Sequence, residues 1–285
     1  MARFLSKILP RRWRPDHIEI PVVRLHGAIM SGGGQFRPTL SLATTAAVLE
    51  KAFADKDAPA VAISINSPGG SPVQSRLIFR RIRDLAEEKK KRVIVFVEDV
   101  AASGGYMIAV AGDEIIADPS SIVGSIGVVS AGFGFPEMLK KIGVERRVYT
   151  AGKNKATLDP FQPEKKEDIE RLKELQLEIH DTFINLVKDR RGDKLADDPD
   201  LFTGQFWTGT KGRALGLVDG LGDMRAHLRS QYGPKTRLKL IAPQRGLLGR
   251  RVPGVGMQTP DMLAAAANSL MDAADERALW AHYGL

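Results

Sequence analysis

Between Val93 and Ala109 the chain changes character within a few residues, and that change limits the folds it can adopt. Val93-Ile-Val-Phe-Val97 is a β-branched and aromatic run without polar alternation, the pattern of a strand buried on both faces. Tyr106-Met-Ile-Ala109 is small and apolar and suits a buried helix, and Ser103-Gly-Gly105 stands between the two. A strand covered on both sides needs helices on both faces of its sheet. The neighbouring segments supply them. Strands are expected over Ile18 to His26, Ala60 to Ile65, Glu114 to Ala117 and Leu238 to Ile241, with helices over Ser41 to Phe53, Val73 to Lys91 and Glu164 to Arg191. The alternation predicts an α/β fold with a mostly parallel sheet.

Elsewhere the pattern is less regular. Ile122 to Val129 is apolar but broken by glycine, Pro136 to Ile142 reads as a short helix, and Arg146 to Thr150 reads as a strand leading to Ala151-Gly-Lys-Asn-Lys155. Phe206-Trp-Thr-Gly209 opens a helical stretch over Lys211 to Leu215. The apolar face of the long helix, with Ile169, Leu172, Leu175, Ile179, Phe183 and Leu186, is expected to meet core or another subunit. Four parts follow: a basic amphipathic segment over 1–17, a main domain over 18–241, a linker rich in Pro, Gly and Arg over 242–260, and a C-terminal helix over 261–285.

Composition excludes several function classes. With no cysteine among its 285 residues, the chain has no disulfides, thiol catalysis or cysteine metal site. Its histidines, His17, His26, His180, His227 and His282, are scattered, so no metal and no cofactor is expected. The net charge of +8 gathers at the ends of the chain, and no nucleic-acid module accompanies it. Phe4, Leu5, Ile8 and Leu9 would share a side of a short helix among Arg3, Lys7 and Arg11, which predicts a cytoplasmic protein with a peripheral membrane contact through this segment.

Ser103 at a strand-to-helix turn, with Gly104 behind it, has the makings of a nucleophile beside one oxyanion donor. Such a serine needs a base, and no histidine lies between His26 and His180. A lysine can replace it only when neutral, which demands a shift of roughly 3 units from about 10.4, about 4 kcal/mol of desolvation and neighbouring dipoles. Most lysines stand in charged helical runs, whereas Lys153 and Lys155 follow an apolar segment and precede Ala156, Leu158 and Phe161. Periodicity does not choose between them. Asn66-Ser-Pro-Gly-Gly70 at a strand end offers unobstructed backbone N–H groups for a second oxyanion donor.

Taken together, Ile65-Asn-Ser-Pro-Gly-Gly70, Val100-Ala-Ala-Ser-Gly-Gly-Tyr106, Gly124-Ser-Ile-Gly-Val128, Ala151-Gly-Lys-Asn-Lys155 and Gly216-Leu-Val-Asp219 resemble, in order and spacing, the signal peptide peptidase A family of serine peptidases. The resemblance runs from about Ile18 to Ile241. It implies a Clp protease/crotonase-like spiral fold and a Ser-Lys dyad, with Ser103 as nucleophile and Lys155 as general base. It also implies that Ser125 hydrogen-bonds the lysine and that Gly104 and Gly69 or Gly70 form the oxyanion hole. Where Clp proteases carry their histidine, this chain has Val128. The family further implies a polypeptide substrate and a homo-oligomeric ring. Rival expectations are a phage-type capsid maturation protease on the same scaffold, a crotonase-like acyl-CoA enzyme and a non-proteolytic membrane scaffold.

Overall fold

The computed structural model describes residues 17–31, 39–242, 274 and 276–285. The expected N-terminal amphipathic segment, the linker and most of the expected C-terminal helix lie outside the described residues. Within them the order is β1 (Glu19–His26), α1 (Leu42–Phe53), β2 (Ala60–Ser67), α2 (Pro72–Lys89), β3 (Arg92–Ala102), α3 (Gly104–Ala109), β4 (Glu114–Ala117), β5 (Ile122–Gly124), α4 (Pro136–Lys141), α5 (Lys166–Arg191), β6 (Phe206–Thr208), α6 (Gly209–Ala214), β7 (Gly220–Leu221), α7 (Met224–Tyr232) and β8 (Arg237–Leu240). The main path of the sheet runs β6-β5-β3-β2-β1-β8, with β4 beside β3 and β7 beside β4. Every pairing is parallel except β5 with β6. This mixed α/β architecture with a mostly parallel sheet is consistent with a Clp protease/crotonase-like fold.

Local chemistry sets the helix boundaries. Ser41 accepts from the N–H of Thr44 while Thr44 Oγ1 accepts from the N–H of Ser41, a reciprocal cap that starts α1. Pro72 opens α2 behind the Ser71 cap, and Lys90, at a left-handed φ of 52°, ends it. On one sheet face Val23, Leu25, Ile63, Val93 and Val95 pack against Leu49, Phe53, Ile78, Ile82 and Ile108 from the helices. On the other face Ile20, Ala62, Ile94 and Phe96 pack against Leu228 of α7. Each large aliphatic side chain buried this way contributes about 1.5–3 kcal/mol, so the two covered faces fix β2 and β3 at the centre.

The central strand is longer than its apolar run. Ile94 to Val97 pair with β4, while Val100 to Ala102 pair with β5, so β3 changes neighbour midway. Beside β2 the register passes from Ile65↔Val97 to Ser67↔Ala101, which leaves Glu98 and Asp99 as extra residues at the crossing point. The second half of β3 leads directly into Ser103.

One expectation is corrected. Arg146 to Thr150 is exposed and irregular, because no described strand offers it an edge. Phe206 to Thr208, ahead of the expected helical stretch, pairs antiparallel with β5, and the helix runs Gly209–Ala214. Of the two partners expected for the apolar face of α5, the core covers only its end, at Phe183 and Val187, and Leu175 and Ile179 are exposed within one copy.

Candidate active site

Ser103 ends β3 in a backbone conformation that few side chains adopt, with φ 52° and ψ −124°. Two backbone bonds hold it there. Its N–H donates to the carbonyl of Gly124 at 2.9 Å, and its carbonyl accepts from the N–H of Met107 at 3.0 Å. The hydroxyl does not cap the helix and makes no hydrogen bond among the described residues. The sharp turn thus presents a free, half-buried oxygen at the C-terminal end of a central strand.

Gly69 stands against this turn. A Cβ placed on it would lie 2.8 Å from Ser103 Cβ and 2.9 Å from the nitrogen of Gly104, so at φ 103° only glycine fits. The carbonyl of Gly69 is tied to the N–H of Ile29 at 2.8 Å, and its N–H makes a long bond of 3.3 Å to Ser67 Oγ. By contrast, the N–H groups of Gly70 and Gly104 have no hydrogen-bond partner among the described residues. Unpaired main-chain donors beside a strained serine suit a developing oxyanion.

Ser125 follows Gly124 at the end of β5, on the strand next to Ser103, and is also at φ 52°. Its hydroxyl is buried, and it accepts a hydrogen bond from the phenol of Tyr283 at 3.1 Å. Tyr283 packs with Trp280 on Val100, Ala102 and Ile122, and edge-on against Phe206, so the C-terminal segment covers this side of the site. Burial, partly offset by the bond to Ser125, raises the Tyr283 pKa and keeps the phenol a donor. Sequence reasoning missed this contact, and no local pattern announces it.

Lys155 is not at this oxygen. It lies exposed in a turn-rich stretch over 151–158, makes no side-chain hydrogen bond or ion pair among the described residues, and is not bonded to Ser103 or Ser125. Lys153 is exposed in the same stretch. None of residues 127–182 is buried. The arm that carries both lysines has only a small cluster of its own, where Phe135 meets Phe161 at 5.7 Å and Arg146 lies 4.7 Å over the Phe161 ring. Of the proposed site residues, the fold gathers Ser103, Gly69, Gly70, Gly104 and Ser125 and leaves Lys155 on the arm. Neither His180 nor His26 replaces it, since His180 Nε2 donates to the carbonyl of Ile126 and His26 sits in a separate polar cluster.

The motif Gly216 to Asp219 serves the frame. Asp219 accepts two bonds from Arg191, at 2.8 and 3.1 Å, and one from Lys194 at 2.7 Å, while the N–H of Ile115 donates to it at 2.8 Å. Tyr106 of α3 donates to the carbonyl of Leu217 at 2.7 Å, which ties the helix behind Ser103 to the same loop.

Comparison with known proteins then decides the family: residues 85–231, which contain Ser103, Ser125, Lys155 and Asp219, match the family model for peptidase family S49. The chain belongs to peptidase family S49. A putative protease of Synechocystis is 32% identical over 206 residues, covering 72% of this chain and 70% of the relative. The chloroplastic serine protease SPPA of Arabidopsis thaliana is 32% identical over 213 residues, covering 72% and 31%. A much more similar relative is a Na(+)/H(+) antiporter NhaA of Brucella abortus, 73% identical over 286 residues, which cover 99% of this chain. This S49 chain spans only 39% of that protein, so the antiporter name describes a far longer chain. Among the described residues no helix is long and apolar enough to cross a membrane, and no group of three or more His, Cys, Asp and Glu could hold a metal ion.

Proposed function

We propose that the chain is a serine endopeptidase that cleaves unfolded polypeptides or released signal peptides through an acyl-enzyme, with Ser103 as nucleophile and Lys155 as general base. Ser103 Oγ attacks the peptide carbonyl carbon while its proton passes to Lys155 Nζ. The oxyanion is held by the N–H groups of Gly104 and Gly70, Gly69 supplying the close approach. Lys155 returns the proton to the leaving amine as the C–N bond breaks, and water activated by the again neutral Lys155 then hydrolyses the ester. One observation carries this reading: a strained serine with a free hydroxyl between two unpaired glycine N–H groups.

The exposed lysine gives the reading its second half. A lysine works as a base only in a dry pocket, and nothing within one described copy dries Lys155. Its arm also exposes Phe133 at 81% and Tyr149 at 90%, large apolar surface that a second copy would cover. We therefore assign the base to a neighbouring subunit of a homo-oligomeric ring, its arm reaching the Ser103 of the next copy. Purified protein is incubated with an unfolded polypeptide and the products are read by mass spectrometry. Ser103→Ala and Lys155→Ala should lose cleavage by at least about 10²-fold, and Lys153→Ala should retain it. Activity retained in Lys155→Ala but lost in Lys153→Ala would move the base by two residues.

A further inference from the structure

The crossing point of β3 is held by side chains that the proposed chemistry does not use. Glu98 and Asp99 are extra to the pairing with β2, and Val100, which follows them, has no partner on that side until Ala101 pairs with Ser67. Asn66, from the Ile65 to Gly70 motif, replaces what is missing. Its Oδ1 accepts from the N–H of Val100 at 3.1 Å, and its Nδ2 donates to Asp99 Oδ2 at 2.6 Å. The other extra residue is fastened as well. Ser64 Oγ donates to Glu98 Oε1 in a very short bond, and His26 Nε2 lies 3.0 Å from Ser64 Oγ and 3.4 Å from Glu98 Oε1. Arg24 donates to His26 Nδ1 at 3.2 Å, which puts the ring proton on Nε2. Ser64 and Glu98 meet the same ring nitrogen, so the cluster cannot relay a proton as a triad does; it is a clasp.

We infer that Asn66 is a positioning residue for Ser103: by bonding Val100 and Asp99 together it sets the phase of the last turn of β3, and hence where the Ser103 hydroxyl stands against Gly69. The inference rests on Ser103 being the nucleophile. Asparagine is suited to the task because one planar group both accepts and donates. Aspartate at this position would still accept from Val100 but would set a second carboxylate against Asp99. From Val100 to Ser103 the strand has no slack, so a shift at Asn66 reaches the hydroxyl, and a displacement near 1 Å costs about 10²-fold in rate.

The test is the rate at which a fluorophosphonate probe labels Ser103 in the full chain. Asn66→Asp should slow labelling by about tenfold or more. Asp99→Asn should label at nearly the wild-type rate, since Asn66 still finds an acceptor. The double exchange, Asn66→Asp with Asp99→Asn, restores one donor facing one acceptor and should recover the rate to within about threefold. Circular dichroism reports whether each variant folds. If Asn66→Asp does not, Asp99→Ala on its exposed side chain takes its place, with a loss of several-fold expected. A wild-type labelling rate in Asn66→Asp, or in Asp99→Ala where it takes that place, or a double exchange as slow as Asn66→Asp, would overturn the inference. A wild-type protein that is not labelled at Ser103 would instead overturn the serine reading on which it rests.

Discussion

At Ser103 the backbone and the hydroxyl make opposed demands. A serine held at φ 52° carries strain of order 1–3 kcal/mol that glycine would not, yet only a side chain can supply the oxygen. Two variants that both lack the hydroxyl separate the effects. Ser103→Gly should be more stable than Ser103→Ala by about 1 kcal/mol, read as a higher melting temperature, while both are inactive. Equal melting temperatures would mean that the turn stores no strain. Gly69 makes the complementary demand, since its missing Cβ is the space Ser103 occupies. These neighbours were legible in the sequence because each belongs to a short motif whose glycines have a local reason. Tyr283 was not, because its bond to Ser125 joins residues separated by 158 positions.

Among the elements, β3 shows where periodicity stops being informative. The apolar run that predicts the strand ends at Val97, where Glu98 and Asp99 break it, whereas the strand continues to Ala102 with those two residues set outside the regular ladder. The stretch from Arg146 to Thr150 errs the other way, because a strand exists only where another strand offers it an edge. The frame behind α3 depends on a single acid. Burial alone would raise the pKa of Asp219, but hydrogen bonds from Arg191 and Lys194 outweigh it and hold the carboxyl below its ordinary value. A lowered carboxylate contributes stability that is fully present above the unfolded-state value of about 3.9 and is lost as pH falls through the folded one. Asp219→Asn should therefore lower the melting temperature at pH 7 and flatten its decline below about pH 4. The Arg191 side chain is only 2% exposed, and removing its partner costs about 3 kcal/mol. A variant whose melting curve parallels the wild type from pH 7 to pH 3 would show that the pair is not what couples this loop to stability.

For the molecule as a whole, a compact sheet-and-helix body carries an arm with no core of its own, and the two proposed halves of one active site are divided between them. Residues 127–182 hold Lys155, and none of them is buried as a whole residue, whereas Ser103 directly follows β3, one of the two central strands. If each site joins the serine of one copy to the lysine of the next, damage to the two residues can be complemented between copies. Ser103→Ala and Lys155→Ala chains, inactive alone, would be co-expressed so that they mix within rings. In a random equal mixture, half of the copies keep the serine and half of their neighbours keep the lysine, so about one quarter of wild-type cleavage should return. Phe133→Ser together with Tyr149→Ser, on the arm surface, should reduce both the assembled mass by light scattering and the recovered activity, with the melting of the body unchanged. No recovery in mixed rings that scatter as full assemblies would place the base within the same copy as the serine, and the arm would then need another reason for its exposed aromatics.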